Sequence, residues 1–238
     1  MKFDLALIGG TGIGWRLAKL ADRSIRIPTP EGQVRGYSAT IGGKSVLIVE
    51  RHSAGHKTPP HLVNYKAIAL GMKLTGVRAC FATAAVGSLR PDWLPGTRVV
   101  CSGFIDFSYR NLTLFDRIVE HTDFSQPMGK RSRETLLRAD PQAQSGVYLC
   151  ANGPRYETPD EIRFYRTAGA DLVGMTAASE AILAREAGVD YACLAIVTNL
   201  ASGISDSPLA HQEVSDQMAQ SGEKVVEILM EACRLFPL

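Results

Sequence analysis

Apolar residues in this chain fall into short blocks punctuated by glycine and proline, and the blocks alternate between two periods. Residues 3–8 form a near-continuous apolar run that Gly9-Gly10-Thr11-Gly12 stops, as a buried strand would be. Residues 37–41 and 45–50 alternate about Gly42-Gly43 in the manner of a hairpin. Helical spacing follows over 63–75, with Gly76 as its C-terminal stop. Residues 79–85 and 98–104 read as two further strands, the first ending towards Gly87-Ser88. Between 108 and 125 the pattern fails and polar residues dominate, which predicts a long functional loop. Beyond it come a helix at 131–139, a strand at 146–151, a helix at 159–168, a strand at 172–175 and a helix at 179–187 closed by Gly188. A strand at 191–198 and an amphipathic helix from about 211 to 233 complete the chain. Strands alternating with helices predict an α/β fold with a central, partly parallel sheet. No repeat, low-complexity tract or linker interrupts residues 1–238, so one domain is expected. Strand ends rich in glycine place the loops at the sheet's carboxyl edge, where such folds bind ligands.

Composition narrows the picture. A hydrophobic content of 45% with 21% charged residues describes a globular chain with a sizeable core. The 26 Lys and Arg against 24 Asp and Glu leave a net charge of +2, which argues against a nucleic-acid surface. The five cysteines are scattered without a C-x-x-C, as reduced core thiols of a cytosolic protein are. The chain begins a strand almost at once without the pattern of a signal peptide. No apolar stretch approaches the roughly 20 residues that span a bilayer. A cytoplasmic protein with neither membrane nor nucleic-acid partners is expected.

Several strand ends carry candidate chemistry, and each has a plainer explanation. Gly9-Gly10-Thr11-Gly12-Ile13-Gly14 fits neither a dinucleotide fingerprint nor an ATPase phosphate loop, because Trp15 stands where glycine or lysine is needed. A glycine turn carrying the Thr11 hydroxyl can still hold an anion, or be an ordinary tight turn. Arg51 and His52, with His56 nearby, offer donors suited to phosphate, or form a solvated loop. The small residues of Thr83-Ala84-Ala85-Val86-Gly87-Ser88 allow close backbone approach to a ligand, or packing beneath a helix. Met175 can pack on a sugar face and Thr176 can bond an oxyanion, though a strand-end methionine is commonly core. His121 and His211 have no second histidine or cysteine at metal-ligand spacing, so no metal site is expected. Gly87-Ser88 lacks the nucleophile elbow of a serine hydrolase. Glu157 and Asn199 form the sharpest pair. A carboxylate can accept the N1–H of hypoxanthine or guanine, and a side-chain amide can bond N7 or O6.

Taken together, Gly9-Gly10-Thr11-Gly12, Arg51-His52, Val63-Asn64-Tyr65, Gly87-Ser88-Leu89, Phe104-Ile105-Asp106, Gly153-Pro154-Arg155-Tyr156, Gly174-Met175-Thr176 and residues 184–188 carry a resemblance. The chain resembles the trimeric purine nucleoside phosphorylase and methylthioadenosine phosphorylase family from Gly9 to about Val214. The resemblance implies a mixed twisted sheet flanked by helices, and reversible phosphorolysis of a purine nucleoside. It implies phosphate held by Thr11, Arg51, His52, the Ala85 backbone and Thr176, with Met175 facing ribose and Tyr156 stacking on the base. Asn199 would donate to N7 of the leaving purine, and Glu157 with Asn199 matches the 6-oxopurine branch. Phosphate is a co-substrate, and no organic cofactor or metal is implied.

At the 5′ end of the sugar the resemblance divides. His121 in His-x-Asp-Phe resembles the methylthio branch, where that histidine enters a neighbouring subunit's site, so a homotrimer is expected. His211 resembles the nucleoside branch, where the histidine bonds a 5′-hydroxyl. Inosine and methylthioinosine both stay open. Ala84 stands where the family has Thr or Asn, Ala177-Ala178-Ser179 replaces Thr-Val-Pro, and the 108–125 loop is short for the family. These departures keep two alternatives in view: methylthioadenosine phosphorolysis, or a catalytically weak purine-binding protein on the same scaffold.

Overall fold

The computed structural model describes residues 1–53, 55, 57–205 and 211–238. Its elements run β1 (Leu5–Gly9), α1 (Gly14–Ala18), β2 (Arg23–Thr29), β3 (Gly32–Ile41), β4 (Lys44–Glu50), a 3-10 turn (Pro60–Leu62), α2 (Tyr65–Leu74) and β5 (Ala79–Ser88). They continue with β6 (Arg98–Phe107), α3 (Lys130–Ala139), β7 (Gln144–Ala151), α4 (Pro159–Thr167), β8 (Leu172–Gly174), α5 (Ala177–Glu186), β9 (Asp190–Leu200) and α6 (His211–Leu235). The expected alternation of strand and helix is present, and besides the 3-10 turn it includes one strand and one α-helix that periodicity did not predict. β2 is a sheet-edge strand whose Pro28 breaks the sequence pattern yet is tolerated where one backbone edge is unpaired. α1 has five residues, too few for a helical period to register.

Among the described residues, nine strands form one mixed sheet in the order β2-β3-β4-β1-β5-β8-β7-β6-β9. β9 also pairs in parallel with β5, so the last five strands close into a ring. Two faces of apolar side chains result. One packs α2 and α5 around Ile68, Met72, Ala181 and Leu183, and the other packs α6 around Val225, Leu229 and Cys233.

Local chemistry explains the elements that frame the site. Asn64 caps α2 by accepting from the Ala67 N–H at 2.9 Å. Thr158 and Glu161 form a reciprocal capping box on α4, with Pro159 at the first helical position. β1 ends at Gly9, and its pairing with β5 stops at Ile8 opposite Ala82. β5 runs on to Ser88, so its backbone from Thr83 to Val86 passes beyond β1 with that edge unpaired. The cavity opens there.

Candidate active site

One cavity of about 410 Å³ is lined by Thr11, Arg51, His52, Ala85, Tyr156, Glu157, Met175, Thr176 and Asn199. Six loops or strand ends, separated by up to 188 positions, therefore meet at one place. One predicted residue of the described set is not brought into it. His121 is exposed and lies outside the cavity lining of its own chain. His211 opens α6, but its side chain lies outside the described residues, as does His56.

Arg51 follows β4 directly and is buried. Its Nε and Nη2 donate to the two carboxylate oxygens of Glu180 at 2.5 and 2.8 Å, and its Nη1 donates to the Thr83 carbonyl at 2.8 Å. Burial works to lower the guanidinium's pKa, but the charge and hydrogen bonds of Glu180 outweigh it and raise the value. Three of its five N–H groups are thus committed, leaving two for a ligand. Gly10 makes this packing possible, since a Cβ there would sit 2.5 Å from Arg51 Nη1 and 2.9 Å from the Thr83 oxygen. The Gly10 N–H in turn donates to Thr83 Oγ1 at 3.0 Å. His52 Nδ1 lies 2.8 Å from the Thr58 carbonyl, which can only accept, so this nitrogen carries the proton.

Thr176 caps α5 without a side-chain hydrogen bond to the helix. The first N–H groups of α5 are already used. Those of Thr176 and Ala177 donate to Tyr148 Oη at 3.1 and 3.4 Å, and those of Ala178 and Ser179 lie against the Cys150 thiol. The Thr176 hydroxyl and two Arg51 N–H groups are therefore the donors this wall still offers, rather than the helix terminus. Ala84, a departure from the family pattern, is buried in the same wall and supplies no hydroxyl.

Glu157 and Asn199 line another part of the cavity. Glu157 is 8% exposed and lies one residue before the α4 cap, in a segment pinned by Arg155 donating to both oxygens of Glu161 at 2.8 and 2.7 Å. Burial raises the pKa of its carboxyl above the ordinary glutamate value, against a smaller lowering from its own backbone N–H. No other side chain among the described residues donates to it. Burial also raises the Tyr156 phenol, with Glu157 and Glu213 adding to the shift. Asn199, also 8% exposed, donates from Nδ2 to the Leu200 carbonyl at 3.0 Å. Its Oδ1 lies 3.0 Å from Thr198 Oγ1. One amide hydrogen and one carbonyl lone pair remain uncommitted among the described residues.

Periodicity and motif reading missed Glu180 as the counter-ion of Arg51, and missed Lys57, Thr58, Pro59, Pro60, Pro154 and Val214 in the cavity wall. The signal for Glu180 was an acidic residue in a helix whose other buried residues are small or apolar. A fully buried carboxylate there demands a cationic partner. Among the described residues, no group of three His, Cys, Asp or Glu side chains could hold a metal ion, and no helix is long and apolar enough to cross a membrane.

Fold and cavity together place the chain in a known class: residues 4–234 match the phosphorylase superfamily, and the chain belongs to that family. It is 38% identical to a 6-oxopurine nucleoside phosphorylase of Pyrococcus furiosus, over 98% of this chain and 93% of that one. It is 39% identical to a probable S-methyl-5′-thioinosine phosphorylase of Methanothermobacter thermautotrophicus, over 97% and 83%. Among solved structures it is similar to methylthioadenosine phosphorylase from Schistosoma mansoni in complex with adenine, with a TM-score of 0.91, 29% identity, and 98% and 92% of the two chains covered.

Proposed function

We propose that this chain catalyses the reversible phosphorolysis of a 6-oxopurine nucleoside, giving the free base and a ribose 1-phosphate. The carrying observation is that Glu157 and Asn199, each with uncommitted hydrogen-bonding capacity, share one cavity with Arg51, His52 and Thr176. Phosphate would sit against Thr11, Arg51, His52, the Ala85 backbone and Thr176. The ribose would pack on Met175 and the base on Tyr156. A phosphate oxygen attacks C1′ as the bond from C1′ to the purine N9 breaks, and the bonding electron pair passes into the purine ring. The free Asn199 amide hydrogen faces the charge that reaches N7, and Glu157 accepts the N1–H. Adenine offers a lone pair at N1, which a carboxylate repels, so the pocket selects against 6-aminopurines. The reaction uses phosphate as co-substrate and calls on no organic cofactor or metal. The walls formed by Pro59, Pro60 and Val214 are apolar and favour a second reading at the 5′ end, a methylthio group in place of the hydroxyl. The five buried cysteines, none in a disulfide, suit a reducing cytoplasm.

Glu157→Gln tests the base reader. The amide keeps an acceptor but loses the charge, so kcat/KM for a hypoxanthine nucleoside should fall about tenfold. The raised pKa also fixes two pH effects. Wild-type activity should decline on the acid side at a pH above the ordinary glutamate range, and the variant should lack that limb. A carboxyl that holds its proton more tightly when folded contributes stability that is full below its unfolded pKa and lost as pH rises through its folded value. Glu157→Gln should therefore melt at a higher temperature than wild type at neutral pH. An unchanged acid limb together with a lower melting temperature would remove Glu157 from the base site.

We further propose a homotrimer in which His121 serves a neighbouring copy's cavity. His121 is exposed and absent from its own chain's cavity lining, and Tyr109 and Val119 are each 88% exposed on the same irregular segment. Light scattering should give three times the chain mass. A fully active monomer would refute the assembly.

A further inference from the structure

We infer that Arg110 is a positioning residue that holds the sugar wall and the base wall of the cavity in register. The inference rests on the nucleoside reading of the cavity and extends it to a residue outside the cavity lining. Arg110 sits in the irregular segment between β6 and α3. Its Nη1 donates to the Met175 carbonyl at 2.9 Å and to Ser179 Oγ at 2.9 Å, and its Nη2 donates to the Asn152 carbonyl at 2.7 Å. Met175 is the ribose-facing residue, and Asn152 opens the segment that carries Pro154, Tyr156 and Glu157. Both carbonyls belong to residues that have just left the sheet, beyond the ends of β8 and β7. The guanidinium also lies 5.4 Å from the ring centroid of Tyr65, whose hydroxyl donates to the Pro60 carbonyl in the cavity rim at 2.8 Å.

Two further observations separate this role from simple loop anchoring. The irregular segment has its own ties: Thr113 and Leu114 bind the Glu186 carboxylate, Asp116 pairs with Lys66, and the Asp123 carbonyl accepts from Arg185. The loop does not need Arg110 to stay docked. Arg110 Nε, moreover, is buried without a partner among the described residues. An unsatisfied donor is costly, and such costs are retained where the placement of the other groups matters more. The flat fork reaches three acceptors on two segments at once, a geometry that an ammonium does not reproduce. Ser179, one of the departures from the family pattern, acquires a physical role as the third of those acceptors.

The test compares Arg110→Ala, Arg110→Lys and Ser179→Ala with wild type for phosphorolysis of inosine, methylthioinosine and adenosine, alongside equilibrium binding of hypoxanthine. Displacement of reacting groups by about 1 Å costs on the order of 10²-fold in rate. Arg110→Ala should lose about that much in kcat/KM for the hypoxanthine nucleosides, raise their KM, weaken hypoxanthine binding and narrow the preference over adenosine. Arg110→Lys should recover only part of the loss. Ser179→Ala keeps a strong helix former in α5, so it should show the same trends more weakly, and it carries the test if the arginine variants fail to fold. A variant that merely lowers the folded fraction reduces kcat alike for every substrate and leaves KM and substrate preference unchanged. That pattern in the variants, beside normal wild-type turnover, would overturn the role of Arg110. Absence of wild-type phosphorolysis would instead overturn the nucleoside reading, and this inference with it.

Discussion

Replacing Asn199 by alanine is expected to lower kcat for a hypoxanthine nucleoside by about 10²- to 10³-fold, the usual loss when one preorganised donor to developing charge is removed. The expectation follows from what the amide does when no ligand is present. One hydrogen is held by the Leu200 carbonyl and one lone pair faces Thr198, which fixes the amide plane before the substrate arrives. On the proposed reading, the remaining hydrogen meets a purine whose negative charge grows only as the glycosidic bond breaks. Such an interaction is stronger in the transition state than in the ground state, so kcat and kcat/KM should fall together while KM moves little. A nucleoside whose base already bears a positive charge, such as an N7-alkylated purine, should lose much less. Stability should drop by only about 1 kcal/mol, because Thr198 Oγ1 lies 3.3 Å from the Val86 carbonyl and has an alternative acceptor. Steady-state kinetics on both nucleosides checks the pattern, and equal losses on the two would remove Asn199 from the leaving-group role.

Glu180→Gln is expected to have the largest effect on stability and a selective effect on phosphate. Arg51 and Glu180 are almost completely enclosed, with side-chain exposures of 1% and 2%, and Tyr191 Oη donates to the same carboxylate at 2.7 Å. Removing one charge from a buried pair leaves the other uncompensated, at a cost of about 3–5 kcal/mol. For a chain of this size that corresponds to a fall in melting temperature of roughly 10 °C. On the proposed reading, in which the Arg51 fork held by Glu180 receives phosphate, the surviving protein should show a phosphate KM raised more than its nucleoside KM. Thermal unfolding and a two-substrate kinetic grid measure both. An unchanged melting temperature would mean that the pair contributes no net stability. Equal shifts in the two KM values would mean that Arg51 does not serve the phosphate.

What could be read from the sequence follows from how local each signal is. Thr158, Pro159 and Glu161 announce a helix start within four residues, and the structure closes that capping box. The hairpin about Gly42-Gly43 and the stop at Gly76 are equally local, and both glycines of the turn and Gly76 adopt positive φ. β5 was expected over 79–85, ending towards Gly87-Ser88. It continues because Gly87 and Ser88 pair with β8 on one side and β9 on the other, a tertiary demand that overrides the local signal. Closure of the last five strands into a ring has no local signature at all, as it depends on β9 meeting β5 across more than a hundred residues. The cavity's predicted members lay at strand ends, which topology gathers at one edge. Glu180 and Arg110 escaped because their partners, Arg51, Met175 and Asn152, are remote in sequence and two of them are backbone carbonyls.

The measurement that bears most directly on the central claim is base release by the wild-type protein from inosine, methylthioinosine, adenosine and methylthioadenosine, each with and without phosphate. The account predicts phosphate-dependent release of hypoxanthine from one or both of the first two, with little adenine released from the others. Faster release of adenine, or release that does not need phosphate, would contradict it.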